Sequence, residues 1–546
     1  MKFSLKHFYL LLTLLLVGQF VLAQGNFTSS DLPIVVINTN GNIIVDEPKV
    51  DAEIGILNNQ AGERNYLSDS FEYFGKIAIE IRGSSSQDLF PKKQYGFELR
   101  DELGEDMDTT LLGMPAEEDW ILFAPYNDKS FMRDVLACKL GRDMDRYATR
   151  TRYCELVIND EYMGIYVLME KIKRDKSRVD IAKLNPDENS GEDLTGGYIV
   201  KIDKTTGNGG DGWVSQYRPE PRNGNQQIYF IYEYPKETEI TQEQKNYIQG
   251  YIAGFESSLK SSGFRDPVNG YRKYIDVPSF IDFMLINELT KNVDGYRLST
   301  FMHKQKITDG GKLHMGPIWD FNLGFGNADY CTSGNPQGFV LDFNEICSGD
   351  WWLIPFWWER MDQDYRFRNE VRLRWDELRA GPFQSEVILD YIDSVASALG
   401  NEAAPRNFER WPVLGQWVWP NYYVGSTFQD EIDWLKNWVS QRLNWLDNNL
   451  PEYVEVLGIE ELLDKPIAIY PNPSKEFFTV AFDQNESKLI RWDLFNSVGK
   501  CIYTFEKQFE KGSHQFTIDS KLDRGIYFLK MSGDQIESRT VKLMRN

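Results

Sequence analysis

Two aspartates lie in sequence contexts where a carboxylate commonly binds a ligand. Asp320 interrupts the apolar segment 316–326 just ahead of a Gly-x-Gly turn, and Asp294 lies 26 residues before it, in the segment 292–299. Phosphoryl transfer needs one carboxylate to orient the attacking hydroxyl and another to hold Mg²⁺ on the phosphates. This chemistry would give the first role to Asp294 and the second to Asp320.

The residues between the two aspartates predict an arrangement that brings them together. The pattern predicts strands over 300–307 and 312–318 around the turn 309–311, after an amphipathic helix over 277–290. A hairpin places both aspartate loops at the same end. In the purely structural alternative, Asp294 caps a turn, and Asp320 caps a helix or pairs with an arginine.

Composition argues against several other kinds of site. The net charge of −22 and the lack of a Lys/Arg run argue against nucleic acid as a partner. None of the five cysteines has the C-x-x-C spacing of a zinc site. Beyond residue 23 the histidines are His303, His314 and His514, and no H-E-x-x-H is present. Acid–base work is therefore expected to fall mainly to carboxylates, with His303 and His314 as packing residues.

Two cysteine pairs could form disulfides in an oxidising compartment. Cys331 and Cys347 flank a Gly/Pro/Asn loop after Asp320, and Cys138 and Cys154 could join a helix to a strand. Buried unpaired thiols are the alternative for the first pair. Cys501 is expected in the core of the C-terminal domain.

The N-terminus has the pattern of an export signal. Lys2 and Lys6 precede an apolar run that ends in Val21-Leu-Ala23, which predicts a signal peptide over 1–23. No later apolar run reaches the length of a membrane span, so no transmembrane segment is expected in the mature chain. The pattern then predicts a mixed α+β region over 31–449, an acidic linker over 450–465, and short strands of a small β-sandwich over 466–546.

The C-terminal region carries motifs of a known export signal. In order, they are Tyr470-Pro-Asn-Pro473, Leu494-Phe-Asn-Ser-Val-Gly499, Gly525-Ile-Tyr-Phe528 and Thr540-Val-Lys-Leu543. This tail resembles the C-terminal sorting domain of the type IX secretion system of the Bacteroidetes. The resemblance implies a secreted or cell-surface protein, exported through the periplasm with the type IX machinery as partner. A generic bacterial Ig-like module is the alternative.

A strand over 79–82 leads into a small-residue loop, Gly83 to Ser86, and Lys92 and Lys93 begin the next strand. The backbone N–H groups of such a loop can bind phosphates, and a lysine can meet their charge. The alternative is a solvated hairpin loop and an exposed strand edge. A helix that Asp128 or Ser130 can cap follows, and then two strands, the second of which ends at Glu170.

The larger region resembles the CotH kinase family, named for spore coat protein H. The resemblance covers about residues 30 to 450, and its motifs are Arg82-Gly-Ser-Ser-Ser86, Phe90-Pro-Lys-Lys93, Asp128-Lys-Ser-Phe-Met-Arg133, Gly164-Ile-Tyr-Val-Leu-Met-Glu170, Asn292-Val-Asp294 and Trp319-Asp-Phe-Asn-Leu-Gly-Phe-Gly326. It implies an atypical protein-kinase-like fold of two lobes, about 31–172 and 173–449, followed here by the all-β sandwich.

The same resemblance implies a role for each matching residue. Asp294 would be catalytic, and Asp320, with Asn322 beside it, would bind Mg²⁺ or Mn²⁺. ATP would contact a set of residues from the N-terminal lobe and its connector: Ser84, Ser85, Lys92 (or Lys93 if the register differs by one), Glu170 and Arg133. A structural salt bridge is the alternative for Arg133.

The chain also departs from ordinary protein kinases. Ser299 stands where they carry a metal-binding Asn, and the Gly-rich loop is reduced to Gly83 and three serines. Two functions therefore stay open: an exported kinase that acts on Ser or Thr of surface or secreted proteins, or a catalytically inactive adhesion or matrix-binding module. The aromatic block 351–358 would favour the second if it were exposed, but such density is also typical of a helical core.

Overall fold

The computed structural model describes residues 27–60, 62–205, 211–454, 467–484, 486–518, 522–533 and 536–545. The chain divides into two compact units, Met1–Glu452 and Tyr453–Asn546. Helices and strands are mixed in the first unit, and the second contains strands, as predicted. The predicted signal peptide and linker residues 455–465 lie outside the described residues. The domain limits and the division of the first unit into two lobes stay predictions.

The N-terminal part of the first unit is a closed seven-stranded barrel. The first nine strands are β1 Ser29–Ser30, β2 Ile34–Asn38, β3 Val50–Leu57, β4 Asn65–Tyr66, β5 Tyr73–Arg82, β6 Gln94–Arg100, β7 Asp119–Phe123, β8 Thr151–Ile158 and β9 Glu161–Glu170. The barrel order is β2-β3-β5-β6-β7-β9-β8, and a parallel pairing of β2 with β8 closes it. Alternate apolar side chains such as Ile54, Ile77 and Phe97 fill its interior.

An antiparallel five-stranded sheet follows in the first unit, in the order β11-β12-β10-β13-β14. Its strands are β10 Tyr198–Ile202, β11 Gly212–Val214, β12 Tyr229–Tyr234, β13 Thr300–Lys304 and β14 Leu313–Met315. The helices are α1 Ser85–Leu89, α2 Arg133–Asp143, α3 Gln242–Lys260, α4 Val277–Thr290, α5 Phe343–Ile346, α6 Trp357–Asp362, α7 Tyr365–Ala380, α8 Ser385–Gly400, α9 Ala403–Arg410 and α10 Phe428–Asn449. Most of them pack on one large core that includes the inner face of this sheet.

Helix α4 spans the predicted residues 277–290 and is buried on all sides. The Asp276 side chain accepts a hydrogen bond from the Ser279 N–H and begins the helix. Lys291, in the left-handed conformation with φ of 46°, ends it. The helix therefore ends three residues before Asp294.

The predicted hairpin between the two aspartates is present but shorter than expected. Strands β13 and β14 pair with His303 opposite His314, and the turn contains the 3₁₀ segment Ile307–Asp309. The Gly316 N–H still donates to the Phe301 carbonyl at 2.8 Å, and the positive φ of 102° at Gly316 then turns the chain out of the ladder. The small-residue loop also differs from the expectation, because α1 begins at Ser85.

The aromatic block 351–358 is mostly core. Trp357 and Trp358 are buried, and Trp351 is exposed. Cys331 and Cys347 form a disulfide that closes the loop after Asp320. Cys138 and Cys154 are free and buried, so the disulfide predicted between them is wrong. Cys501 is exposed, in contrast to its expected place in the core of the C-terminal domain.

The second unit has two antiparallel sheets. Its strands are β15 Ala468–Tyr470, β16 Phe478–Gln484, β17 Lys488–Asn496, β18 Cys501–Phe509, β19 Gly512–Ile518, β20 Gly525–Gly533 and β21 Ile536–Arg545. The orders are β15-β16-β19 and β18-β17-β20-β21, and apolar residues of both sheets, Trp492 among them, share one core. Among the described residues of the whole chain, no helix is long and apolar enough to cross a membrane.

A buried ion pair joins α4 to α10. Arg442 donates from Nη2 to Glu288 Oε2 at 3.2 Å and from Nε to the Glu288 carbonyl at 2.7 Å. The N–H groups of Val340 and Leu341 donate to the same carboxylate. Burial raises the pKa of Glu288, and burial lowers the pKa of Arg442 to about 10. The ionised form of each side chain is therefore stabilised by the charge of the other.

We predict that Arg442→Met destabilises the first unit by about 3–5 kcal/mol, because it leaves the Glu288 carboxylate buried without its cation. Denaturant unfolding of the full chain measures the change. Lys436→Met on the same helix is the matched control, since its pair with Asp393 is solvent-exposed and worth less than about 1 kcal/mol. Equal effects of the two substitutions would contradict the prediction.

Candidate active site

The two predicted aspartates line one cleft of about 440 Å³ in the first unit. Its walls come from the end of β5 and the turn after it, the connector after β9, the end of β10, and the loops that carry Asp294 and Asp320. Pockets of this size commonly bind small molecules and cofactors. The hairpin β13–β14 thus holds the two carboxylates at one cavity.

Asp320 has a strained backbone and a perturbed carboxyl group. Its φ of 64° lies in the left-handed region, which is uncommon for a residue other than glycine and is found often at functional sites. The side chain remains accessible to solvent through the cleft. The surrounding protein, with the charges of Asp294 and Asp203, nevertheless raises the pKa of Asp320 to about 6. A nearby cation would favour its ionised form.

Asp294 is oriented by a buried arginine. Arg297 Nη2 donates to Asp294 Oδ1 at 2.6 Å. The same guanidinium donates to the carbonyls of Val293 and Trp352 and lies 4.2 Å from the ring of Phe343. These contacts fix the guanidinium, so the carboxylate of Asp294 is held with one oxygen engaged.

The cleft also contains the other predicted residues of the two loops. Ser84, Ser85 and Asn322 line it. Asn322 Nδ2 donates to Asn127 Oδ1 at 3.3 Å, and Lys204 Nζ donates to Ser85 Oγ at 3.0 Å. Asp294, Asp320, Asn322 and the serines therefore converge on one volume.

Lys92 does not line the cleft, in contrast to the prediction from the sequence. It is buried, and its Nζ donates to the Ile165 carbonyl at 2.6 Å and to Asn407 Oδ1 at 2.8 Å. Burial lowers its pKa well below the usual value. Lys93 donates to the carbonyls of Gln87 and Phe90 and does not line the cleft either.

Glu170 and Arg133 are also engaged elsewhere. Glu170 is buried and accepts hydrogen bonds from the backbone N–H and the guanidinium of Arg150, at 2.9 and 2.7 Å. Arg133 is buried and forms a salt bridge with Asp128, which agrees with the structural alternative for this residue. Neither lines the cleft, although Met169 and Lys171, the neighbours of Glu170, do.

Other charged groups in the cleft were not expected from the sequence. Arg82 lies 5.5 Å from the Trp319 ring centroid, and both Arg82 and Lys204 lower the pKa of Asp320 by their charge. Arg82 begins the motif Arg82-Gly-Ser-Ser-Ser86, but the resemblance assigns phosphate binding to a lysine. Asp203 and Lys204 follow β10, and a polar pair at a strand end was the only sequence signal for them.

Asp134 on α2 adds a further carboxyl group to the cleft. Its Oδ1 accepts a hydrogen bond from the Phe321 N–H at 2.6 Å. Burial, and then the charge of Asp320, raise its pKa well above the usual value. This contact joins α2 to the Asp320 loop and could not be read from spacing, because the two residues are 187 positions apart.

The residues of the cleft fit a nucleotide with a divalent cation. Mg²⁺ is usually held by one or two carboxylates together with phosphate oxygens, and Asp320 and Asn322 offer such oxygens. Arg82 and Lys204 supply positive charge for phosphates. The apolar part of the wall that an adenine ring would need is formed by Phe90, Phe123, Met169, Ile172 and Phe301.

Comparison with protein families agrees with this arrangement. The family model described as CotH kinase protein matches residues 79–446. The chain belongs to the CotH kinase family. A second model, the secretion system C-terminal sorting domain, matches residues 468–545. The membership of this CotH protein implies nucleotide-dependent phosphotransfer, and its sorting domain indicates a secreted or cell-surface protein.

Other comparisons add little to the CotH assignment. No curated protein matches the chain. Among solved structures, the twitchin kinase region from C. elegans is 11% identical, with coverage of 95% of this chain and 99% of that one, at a TM-score of 0.15. A TM-score this low does not establish a shared fold.

We predict that Lys204→Met weakens binding of ATP with Mg²⁺ about ten- to a hundredfold, since a charge-assisted contact is worth roughly 1.5–3 kcal/mol. Lys92→Met should leave ATP affinity within a few-fold and lower stability instead, because the Lys92 side chain is used inside the protein. Calorimetric ATP titration of both variants tests this. A large loss in Lys92→Met with none in Lys204→Met would restore the original assignment.

Proposed function

We propose that this protein is an exported atypical kinase that transfers the γ-phosphate of ATP to Ser or Thr hydroxyls of surface or secreted proteins. The observation that carries the proposal is the convergence of Asp294, Asp320 and Asn322 with Arg82 and Lys204 in one cleft. Family membership supports the reaction class, and the sorting domain supports export. The identity of the protein substrate is left open.

In this proposal the two aspartates have different tasks. Asp294 orients the acceptor hydroxyl and takes up its proton, and Arg297 positions it by occupying one carboxylate oxygen. Asp320 and Asn322 hold Mg²⁺ or Mn²⁺, which, when bound, neutralises phosphate charge. Arg82 and Lys204 bind the phosphates, while Ser84 and Ser85 cover them.

The apolar wall gives the cleft a second property that a kinase needs. Met169 lies at the end of β9, Ile172 lies on the connector after it, and Phe301 lies on β13, so apolar surface borders the cleft from two sides. A base placed there is shielded from water while its phosphates reach the charged groups. The connector backbone beside Glu170 is then the candidate partner for the polar edge of the base.

The structure does not support the main argument for the alternative, a catalytically inactive adhesion or matrix-binding module. It relied on exposure of the aromatic block 351–358, and Phe356, Trp357 and Trp358 are buried. An adhesion module also has no need for carboxylates that repel one another in a cleft. Absence of ATP binding by the unaltered protein would nevertheless return the interpretation to this alternative.

We predict that Asp320→Asn abolishes metal-dependent ATP binding and phosphate transfer together, because the clustered phosphate charge then lacks its cation. Asp294→Asn should keep ATP affinity within a few-fold and lose transfer on the order of 10² or more, because Asp294 meets the hydroxyl rather than the nucleotide. Calorimetric ATP titration and phosphate incorporation into a generic acceptor protein measure the two effects.

Asp309→Asn is the matched control for these two variants. Asp309 is exposed at the turn of the same hairpin, outside the cleft, and the substitution should change neither quantity. Transfer at the unaltered rate in Asp294→Asn or Asp320→Asn would refute the kinase proposal.

We also predict that removal of 466–546 prevents display at the cell surface, because these residues form the proposed sorting domain. Cell fractionation and protease treatment of intact cells measure the location. A carrier protein with its own signal peptide and a fused 466–546 segment is the positive control and should reach the surface. Correct surface display of the truncated chain would contradict the assignment.

A further inference from the structure

Two histidines lie side by side on the hairpin that joins Asp294 to Asp320. His303 on β13 is paired with His314 on β14, and the imidazole rings are parallel within 10° with centroids 5.1 Å apart. Residues directly opposite each other on antiparallel strands have side chains on the same face. The proposed phosphoryl transfer uses neither histidine.

In each histidine, Nδ1 has a neighbour that favours a proton on it. His303 Nδ1 is hydrogen-bonded to the Gly316 carbonyl oxygen at 3.2 Å, and a carbonyl can only accept, so Nδ1 carries the proton. His314 Nδ1 lies 3.5 Å from Asp276 Oδ1. In a neutral imidazole the lone pair is then on Nε2. Metal-binding histidines commonly have this arrangement, with the other nitrogen directed at a carbonyl or carboxylate.

Both imidazoles are neutral at ordinary pH. Burial, with the neighbouring His314, lowers the pKa of His303 to about 4, and burial lowers the pKa of His314. Metal binding to histidine requires the deprotonated ring, which is the form that burial favours here, whereas the positive charge of Arg146 acts against any cation at these nitrogens.

The pair borders a cavity of about 250 Å³ that is separate from the cleft of Asp320. Asp282 also lines this cavity, but Arg146 and Arg374 donate to its two oxygens at 2.6 and 2.8 Å. The cavity therefore offers two imidazoles as its neutral nitrogen donors and leaves room for water molecules to complete a coordination shell.

We propose that His303 and His314 form a two-histidine site for a divalent transition metal ion that prefers imidazole nitrogen, namely Zn²⁺, Ni²⁺ or Cu²⁺. Metal–nitrogen bonds of about 2.0–2.1 Å can span at most about 4 Å between two ring nitrogens, so binding requires both imidazoles to rotate out of their parallel stack until the two Nε2 lone pairs point at one ion. The bound ion would cross-link β13 to β14. The site goes beyond the proposed function, and its metal differs in kind from the Mg²⁺ expected at Asp320.

Calorimetric Ni²⁺ titration of the full chain tests the site, with excess Mg²⁺ present to occupy carboxylates and without nucleotide. The unaltered chain should bind one Ni²⁺ ion, and His303→Gln or His314→Gln should weaken binding at least tenfold. His514→Gln replaces the histidine of the second unit and is the control, which should bind as the unaltered chain does. Absence of binding, or equal affinity in all three variants, would overturn the proposal.

The electron paramagnetic resonance spectrum of bound Cu²⁺ gives a direct readout of the ligands. Nitrogen splitting from two imidazoles is expected in the unaltered chain, and from one in His314→Gln. A spectrum without nitrogen splitting, or one that His314→Gln leaves unchanged, would overturn the proposal. His314 is partly exposed, so this variant keeps the test decisive even if His303→Gln fails to fold. Because neither measurement involves ATP, failure here is distinct from failure of the kinase proposal.

Discussion

The position of the candidate site depends on the buried ion pair between Glu288 and Arg442. Glu288 lies in the last turn of α4, six residues before Asp294, and its carboxylate also accepts the N–H groups that begin the segment 340–342. Arg442 donates from Nη1 to the carbonyls of Pro336 and Gly338. One guanidinium thus ties the helix before Asp294 to the chain that follows Asp320. Such a pair adds little net stability over apolar packing, but its directional bonds fix which backbone segments meet.

The cleft itself is electrostatically unfavourable in the absence of a ligand. Burial, with the charges of Asp294 and Asp203, raises the pKa of Asp320, and burial, with the charge of Asp320, raises the pKa of Asp134. Arg82 and Lys204 offset only part of this repulsion. A fold selected for stability alone would separate these carboxylates, so their proximity is typical of a site that accepts a cation. Positive φ at Asp320 adds backbone strain at the same place.

The sequence predicted those parts of the site that lie in short, local patterns, and failed where distant residues decide the environment. Asp294, Asp320 and the hairpin between them follow from spacing. Lys92 was expected to contact ATP, but it is buried and donates to Asn407 on α9, 315 positions away, and no local pattern reports that contact. Asp203 and Lys204 were missed because a polar pair after a strand has no distinctive spacing. The same holds for Asp134, whose partner Phe321 lies on another element.

The hairpin β13–β14 is the element on which these observations meet. It carries Asp294 before its first strand and Asp320 after its second, so the register of three residue pairs helps to set the separation of the two carboxylates. Its outer strand β14 is at the edge of the sheet, but the segment 274–279 holds it from the other side. The Leu313 N–H donates to the Tyr274 carbonyl at 2.9 Å, and the Met315 N–H donates to Ser279 Oγ at 3.1 Å. Side-chain contacts across the pair add to this rigidity. The facing imidazoles of His303 and His314 lie at the middle pair, where a link between the strands would fix the register that connects the two aspartate loops.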